Sequence, residues 1–332
     1  EYPVECSLRR CRETDRQNRL CFAPRRGTIY KAAYPAAGLP EKGRIHMIKI
    51  FTDTSANLTA DVIKEYNLGL VPFSYTVDGV EAKPDPNVDF DGKAYYDAMR
   101  SGAEVKTSMV NGVTFTEAVR ESLDAGDDVI YIGMSGGISG TAQIARLAAE
   151  ELRADYPERK IASIDTYAAS LGEGLLVVKA ARMLRDGASF DRIVAEISKD
   201  RETMCQYFTV DDLEYLKRGG RLGRVATVVG TVLKIKPILM GDAKGQIVLC
   251  AKTRGRKQSL MALADYYEKL SCNRKAMIGI AHADAPVDAA LLLEELKLRG
   301  FAGECLTVCY EPVTGAHVGP GTVALFFPGT HK

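Results

Sequence analysis

The run Val129-Ile130-Tyr131-Ile132-Gly133-Met134-Ser135-Gly136-Gly137-Ile138-Ser139-Gly140-Thr141 puts two serines, a threonine and four glycines between an apolar stretch and a helical pattern. Glycines let backbone approach a ligand, and hydroxyls and the first N–H groups of a helix are donors backed by the positive end of its dipole. The chemistry that fits is the holding of an anionic oxygen. Gly133-Met134-Ser135-Gly136-Gly137 also fits the G-x-S-x-G nucleophile elbow, with His317 downstream as a base, which would make Ser135 the nucleophile of a serine hydrolase. An elbow enters its helix directly after the nucleophile. Here a second serine, Ser139, and several turn residues intervene, which favours an oxygen-binding loop. The plainest alternative is a helix start capped by a hydroxyl.

Two more polar segments stand out. Thr314-Gly315-Ala316-His317-Val318-Gly319-Pro320-Gly321 frames a histidine with glycines. Histidine donates to carboxylates and can become cationic near neutral pH. Lys217-Arg218-Gly219-Gly220-Arg221 offers an arginine that is either a solvated surface charge or a bidentate partner for an anionic head group.

The elements that must carry these residues alternate. Ile48–Phe51 reads as a strand ending in Asp53-Thr54-Ser55, 58–66 as a helix, and 68–77 as a strand with Pro72 near an end. Residues 78–89 read as a loop, 90–100 and 115–125 as helices, and Lys106-Thr107-Ser108 as a polar turn between them. Strands at 129–132 and 160–164 flank the glycine turn and its helix. This alternation implies a parallel sheet with helices on both faces, with Asp53, Ser135 and Asp165 on one carboxyl edge, where such sheets bind ligands. Helices follow at 171–187 and 189–203.

A second domain is expected to begin near Tyr207. It holds a short helix at 211–218, a helix at 225–234, a hairpin of 236–240 with 246–252, and a helix at 256–270. A strand at 276–282, a helix at 287–299, a strand at 304–310, a loop at 311–321 and a strand at 322–327 complete it. The expected class is α/β: an N-terminal parallel-sheet domain over 47–205, a C-terminal α+β domain over 206–332, and a ligand between them.

Composition sets limits. The chain has 332 residues, is 46% hydrophobic and 26% charged, and carries a net +1. Residues 1–46 hold ten Lys/Arg against five Asp/Glu, leaving 34 against 38 in the remainder. A mildly acidic body argues against nucleic-acid binding. No apolar run approaches the ~18 residues of a membrane span, so transient membrane contact is the most the sequence allows. Residues 1–46 show no sustained period and read as a disordered or non-native extension. Cys6, Cys11 and Cys21 form no C-x-x-C pair, so no metal site is expected. The other five cysteines lie dispersed among apolar neighbours and read as reduced residues of a cytoplasmic protein.

Taken in order, several short motifs resemble the DegV family of bacterial fatty-acid-binding proteins. They are Thr52-Asp53-Thr54-Ser55, Lys106-Thr107-Ser108, the glycine turn from Ser135 to Thr141, Asp165-Thr166, Val210-Asp211-Asp212-Leu213-Glu214-Tyr215-Leu216, Gly219-Gly220-Arg221, Lys234-Ile235-Lys236-Pro237-Ile238, and Gly315 to Gly321. The resemblance covers residues 47–330. It implies one long-chain fatty acid held between two domains, its tail in an apolar tunnel, with no other cofactor. Thr107 and Ser139 would bond the carboxylate, His317 would lie beside it and Arg221 would complete the cluster. Ser135, Gly136, Gly137, Gly140, Thr141, Gly319 and Gly321 would shape the supporting loops.

The resemblance further implies the lipid-presenting subunit of bacterial fatty acid kinase, in phospholipid metabolism, whose separate ATP-binding subunit phosphorylates the carboxylate. The chain shows neither G-x-x-x-x-G-K-[ST] nor G-x-G-x-x-G, in keeping with no catalysis of its own. Arg254 and Arg256 are basic enough to dock that partner. A carrier or sensor without a kinase partner is the alternative. Met109-Val110 departs from the polar residue and proline that many relatives carry after Thr-Ser.

Overall fold

The computed structural model describes residues 47–85, 90, 92–222 and 235–331. The N-terminal extension and the helix expected at 225–234 lie outside the described residues. The chain runs β1 (Ile48–Asp53), a 3-10 turn (Thr54–Ala56), α1 (Ala60–Glu65), β2 (Gly69–Val71), β3 (Ser74–Val77), β4 (Val80–Ala82), α2 (Gly92–Arg100), β5 (Val105–Ser108) and α3 (Gly112–Asp124). It continues with β6 (Asp128–Gly133), α4 (Thr141–Asp155), β7 (Ile161–Asp165), α5 (Leu171–Arg185), α6 (Phe190–Asp200), β8 (Met204–Thr209) and α7 (Glu214–Arg218). After the gap come β9 (Ile235–Gly241), β10 (Ile247–Arg254), α8 (Arg256–Leu270), β11 (Ile278–His282), α9 (Pro286–Leu298), β12 (Cys305–Cys309), α10 (Pro312–Val318) and β13 (Val323–Pro328).

The first sheet is parallel, in the order β2-β1-β6-β7. Its strand β6 shows why the segment folds so. Val129 and Tyr131 pack with Phe115, Val119 and Leu152 of α3 and α4 on one face, while Ile130 and Ile132 join the α5 side on the other. A strand covered on both faces needs an unbroken apolar run, and this one has it.

The second sheet has the order β10-β9-β8-β13-β11-β12 and is mixed, with β11 and β12 parallel and the other pairs antiparallel. Side chains alternate across it. Tyr207, Leu325 and Phe327 face α8 and α9, and Phe208, Ala324 and Phe326 face the opposite way. Helix α5 lies between the two sheets, touching β1 and β6 on one side and β8, β11 and β13 on the other. Ten of its residues, from Leu171 to Ala181, are buried, with Lys179 the exposed exception, as expected of a helix whose first three turns lie between two sheets.

Four segments differ from the sequence expectation. The strand expected at 68–77 breaks at Pro72 into β2 and β3, which belong to different sheets; proline has no N–H to carry a ladder through. The loop expected at 78–89 contains β4, joined to β3 by Asp78-Gly79 with φ of 49° and 82°, an Asp-Gly hairpin turn. Lys106-Thr107-Ser108 is strand, not turn: β5 pairs with β3, Thr107 opposite Tyr75. The loop expected at 311–321 holds helix α10. Its N-cap is Glu311, whose carboxylate accepts from Val313 N at 2.6 Å and Thr314 N at 2.5 Å, with proline at the helix start.

Candidate functional site

Strand β5 and helix α10 bring the first two site residues together. Thr107 Oγ1 lies 2.9 Å from Nε2 of His317, which sits in the last turn of α10. Both line a cavity of about 820 Å³ of empty space, part of it open to solvent. Ser139 and Arg221 line the same cavity, so the four residues expected at a head group share one chamber. Most of the remaining wall is apolar, from Phe73, Met134, Phe208, Leu216, Val318 and Phe326.

The electrostatics favour an anion. Burial pushes the His317 imidazole down to about 4, with the Arg221 charge adding to the effect. The ring is therefore neutral throughout the neutral range, where an ordinary imidazole near 6.5 would still be partly cationic. Arg221 is half-buried, which lowers its affinity for its proton. Its guanidinium donates to the Ile138 carbonyl at 3.1 Å and the Gly219 carbonyl at 2.6 Å, and no carboxylate pairs with it among the described residues. The chamber thus presents one uncompensated positive charge beside neutral donors.

The glycine turn works differently from the sequence expectation. The Gly136 N–H donates to both carboxylate oxygens of Asp165, each at 3.1 Å, and the Gly137 N–H donates to Ser135 Oγ at 3.0 Å. These donors are satisfied by Asp165 at the end of β7 and by Ser135 within the turn. The hydroxyl of Ser139 remains at the cavity wall, donating to Thr141 Oγ1 at 3.0 Å and accepting from Thr141 N at 3.3 Å. The glycines serve close packing. A Cβ on Gly136 would meet the Asp165 carboxylate at 2.6 Å, one on Gly137 the Lys244 carbonyl at 2.5 Å, and one on Gly140 the Met109 sulfur at 2.9 Å.

The hydrolase reading is corrected. Ser135 Oγ donates to the Gly245 carbonyl at 2.9 Å and is 1% exposed, while His317 Nε2 is taken by Thr107. A nucleophile needs a base on its own hydroxyl, and Ser135 has a backbone carbonyl there.

Residues 47–329 match the model of the DegV family. The chain belongs to the DegV family. A DegV domain-containing protein of Clostridium perfringens is 37% identical over 284 residues, covering 85% of this chain and 98% of that protein. Among solved structures, a DegV family protein from Thermus thermophilus, described as fatty-acid-binding, has a TM-score of 0.75 at 28% identity, covering 84% of this chain and 98% of its own. A fatty-acid-binding DegV family protein from Streptococcus agalactiae has a TM-score of 0.76 at 28% identity, with 85% and 98% covered.

Against that DegV background, other residues fall into place. Gly319 and Gly321 have φ of 77° and 80°, and a side chain on them would strike Tyr215 and Asp211. They set how α10 ends, and so where His317 sits, and neither lines the cavity. Arg256 is spent within the chain, its Nε on Asp288 at 2.8 Å and its NH2 on the Gly321 carbonyl at 2.6 Å, whereas Arg254 is exposed. Thr314, one helical turn before His317, also lines the cavity and is not among the expected head-group residues. The i, i+3 spacing would have exposed it had 312–318 been read as a helix. Among the described residues no cluster of His, Cys, Asp and Glu could hold a metal ion, and no helix is long and apolar enough to cross a membrane.

Proposed function

We propose that this chain binds one long-chain fatty acid, tail in the apolar part of the cavity and carboxylate among Thr107, Ser139, His317 and Arg221, and presents that carboxylate to a separate ATP-binding kinase subunit. The observation that carries the reading is the chamber itself: a largely apolar wall closed at one place by two hydroxyls, a neutral imidazole and an arginine without a carboxylate partner. Each buried CH₂ contributes about 0.8 kcal/mol, so a tail holds tightly without covalent chemistry. Solved DegV relatives described as fatty-acid-binding support the ligand class.

The presentation step follows from the head group. Neutral hydroxyls orient a carboxylate while leaving its charge available for attack on a phosphoryl group, whereas a bidentate arginine would stabilise the ground state. Arg221, already tied to two carbonyls, suits a role at longer range or on the transferred phosphate. Arg254, exposed at the end of β10, is the basic residue offered to the partner.

Native mass spectrometry of the purified protein, followed by solvent extraction, tests the first half. A stoichiometric fatty acid is expected; a lipid-free protein that also takes up no added fatty acid would refute it. Incubation of the loaded protein with ATP and a candidate kinase subunit tests the second. Acyl phosphate is expected only in the complete mixture, and its absence with every such subunit of the same cell would leave a carrier or sensor.

A further inference from the structure

Two buried carboxylates meet where β1 ends. Asp53 closes the strand, Glu173 projects from the first turn of α5, and both are 0% exposed. The Ser55 hydroxyl joins them: it donates to Asp53 Oδ1 in a short bond and lies 3.2 Å from Glu173 Oε2. A hydroxyl carries one hydrogen, and an ionised carboxylate only accepts. Ser55 therefore cannot bond two ionised carboxylates, and one of the two contacts needs a hydrogen from the acid itself.

The other donors decide which. Asp53 also accepts from Ser55 N at 2.9 Å, Tyr131 OH at 2.7 Å and Met134 N at 3.1 Å. Glu173 has, besides Ser55, the Thr52 hydroxyl at 2.8 Å. We propose that Glu173 carries a proton at neutral pH and donates it to Ser55, which in turn donates to an ionised Asp53. The bonds then converge on Asp53: from α5 through Ser55 on one side, and from the N–H of Met134, the residue that opens the glycine turn bearing Ser139, on the other. Glu173 is a positioning residue: it touches no ligand but braces the turn that does.

The surroundings agree. Burial raises both carboxyls towards the protonated form, and Asp53 and Glu311 disfavour a charge on Glu173 further. Tyr131 from β6, which donates to Asp53, and Glu311 at the start of α10 are the titratable groups that act on the pair from the neighbouring elements. No ion pair reaches either carboxylate among the described residues. The dipole of α5 favours an ionised Glu173, but it acts without a direct N–H bond to that side chain and against complete burial.

Infrared difference spectroscopy on the full chain reads the proton directly. At neutral pH the wild-type spectrum minus that of Glu173→Gln is expected to show a carboxylic-acid C=O band, which Asp53→Asn retains and Glu311→Gln leaves unaltered. The sign of the stability linkage is fixed: with the folded value raised above the ordinary 4.5, the folded state binds the extra proton, so stability falls as pH rises above 4.5. Glu173→Gln, whose amide mimics the neutral acid, is expected to remove up to a tenfold change in the unfolding constant per pH unit from that slope. Unchanged spectra and slope in Glu173→Gln would overturn the assignment, as would a band lost only in Asp53→Asn. Should Glu173→Gln fail to fold, the Asp53→Asn/Glu311→Gln spectrum decides: with the Glu311 acid, raised to about 7, removed, a retained band supports Glu173 and a vanished one refutes it.

Discussion

Thr107 and His317, 210 residues apart in sequence, meet at 2.9 Å between Oγ1 and Nε2. The contact has a direction. If Nε2 carries the hydrogen, it donates to Thr107, and the threonine hydroxyl is left free to point its own hydrogen at a ligand oxygen. The opposite tautomer would consume that hydrogen inside the pair. The expected state of the unliganded protein is the Nε2–H tautomer, readable from ¹⁵N shifts of the imidazole. Thr107→Val should keep the shape and lower fatty-acid affinity by about 1.5–3 kcal/mol, the range for one hydrogen bond to a charged group. Wild-type affinity in Thr107→Val would remove the threonine from the head-group site.

The buried imidazole makes the fold sensitive to acid. His317 titrates at about 4 in the folded protein against an ordinary 6.5. Between those values the unfolded chain takes up a proton that the folded chain refuses, so stability falls as pH drops through that window, by about 3 kcal/mol in total. Glu311, raised to about 7 by burial, acts in the opposite sense, because the folded state keeps its proton where the unfolded state loses it. Urea denaturation of wild type and His317→Gln at pH 7 and pH 4 separates the two. The variant should lose less stability on acidification than the wild type; equal losses would mean that His317 is not held neutral.

Ser139 has two duties, and the variant should show both. Its hydroxyl binds Thr141 at the start of α4 and also reaches the cavity. Ser139→Ala should cost about 1 kcal/mol of stability, as loss of a helix-start hydroxyl does. It should lower acyl-phosphate formation with the kinase subunit more than it lowers lipid retention, because the tail supplies the bulk of the binding. Parallel loss of both activities would assign Ser139 to binding alone.

What the sequence made legible was periodic. The apolar run of β6 and the helical spacing of α4 each follow from one local pattern. What it hid was set by partners far away. Glu311 caps α10 where a shorter side chain is usual, and Gly315 sits inside that helix because its Cβ would strike the Tyr96 hydroxyl. Local rules therefore read the segment as a loop. The donors of the glycine turn looked free for a ligand because nothing local shows that Asp165, 29 residues on, occupies Gly136. The four residues proposed for the head group came from the ordered motifs of the family; local pattern alone left Ser135 and Ser139 in competition, and the Gly245 contact, which occupies the Ser135 hydroxyl, separates them.

That contact yields the sharpest structural test. The tip of the β9–β10 hairpin rests on the glycine turn: Ser135 Oγ donates to the Gly245 carbonyl at 2.9 Å, and Gly137 leaves room for the Lys244 carbonyl. Gly245 has φ of 69°, and a Cβ there would collide with the Ser135 hydroxyl and the Tyr167 backbone. Gly245→Ala thus adds a clash with buried groups to the strain of the left-handed conformation. Gly79, at φ of 82° with nothing near its Cβ position, isolates the strain alone. Gly79→Ala should cost about 1 kcal/mol, and Gly245→Ala about 3 kcal/mol or more, with loss of bound lipid as the turn carrying Ser139 shifts. Equal unfolding free energies for the two variants, measured in urea, would show that the hairpin tip does not clamp the turn.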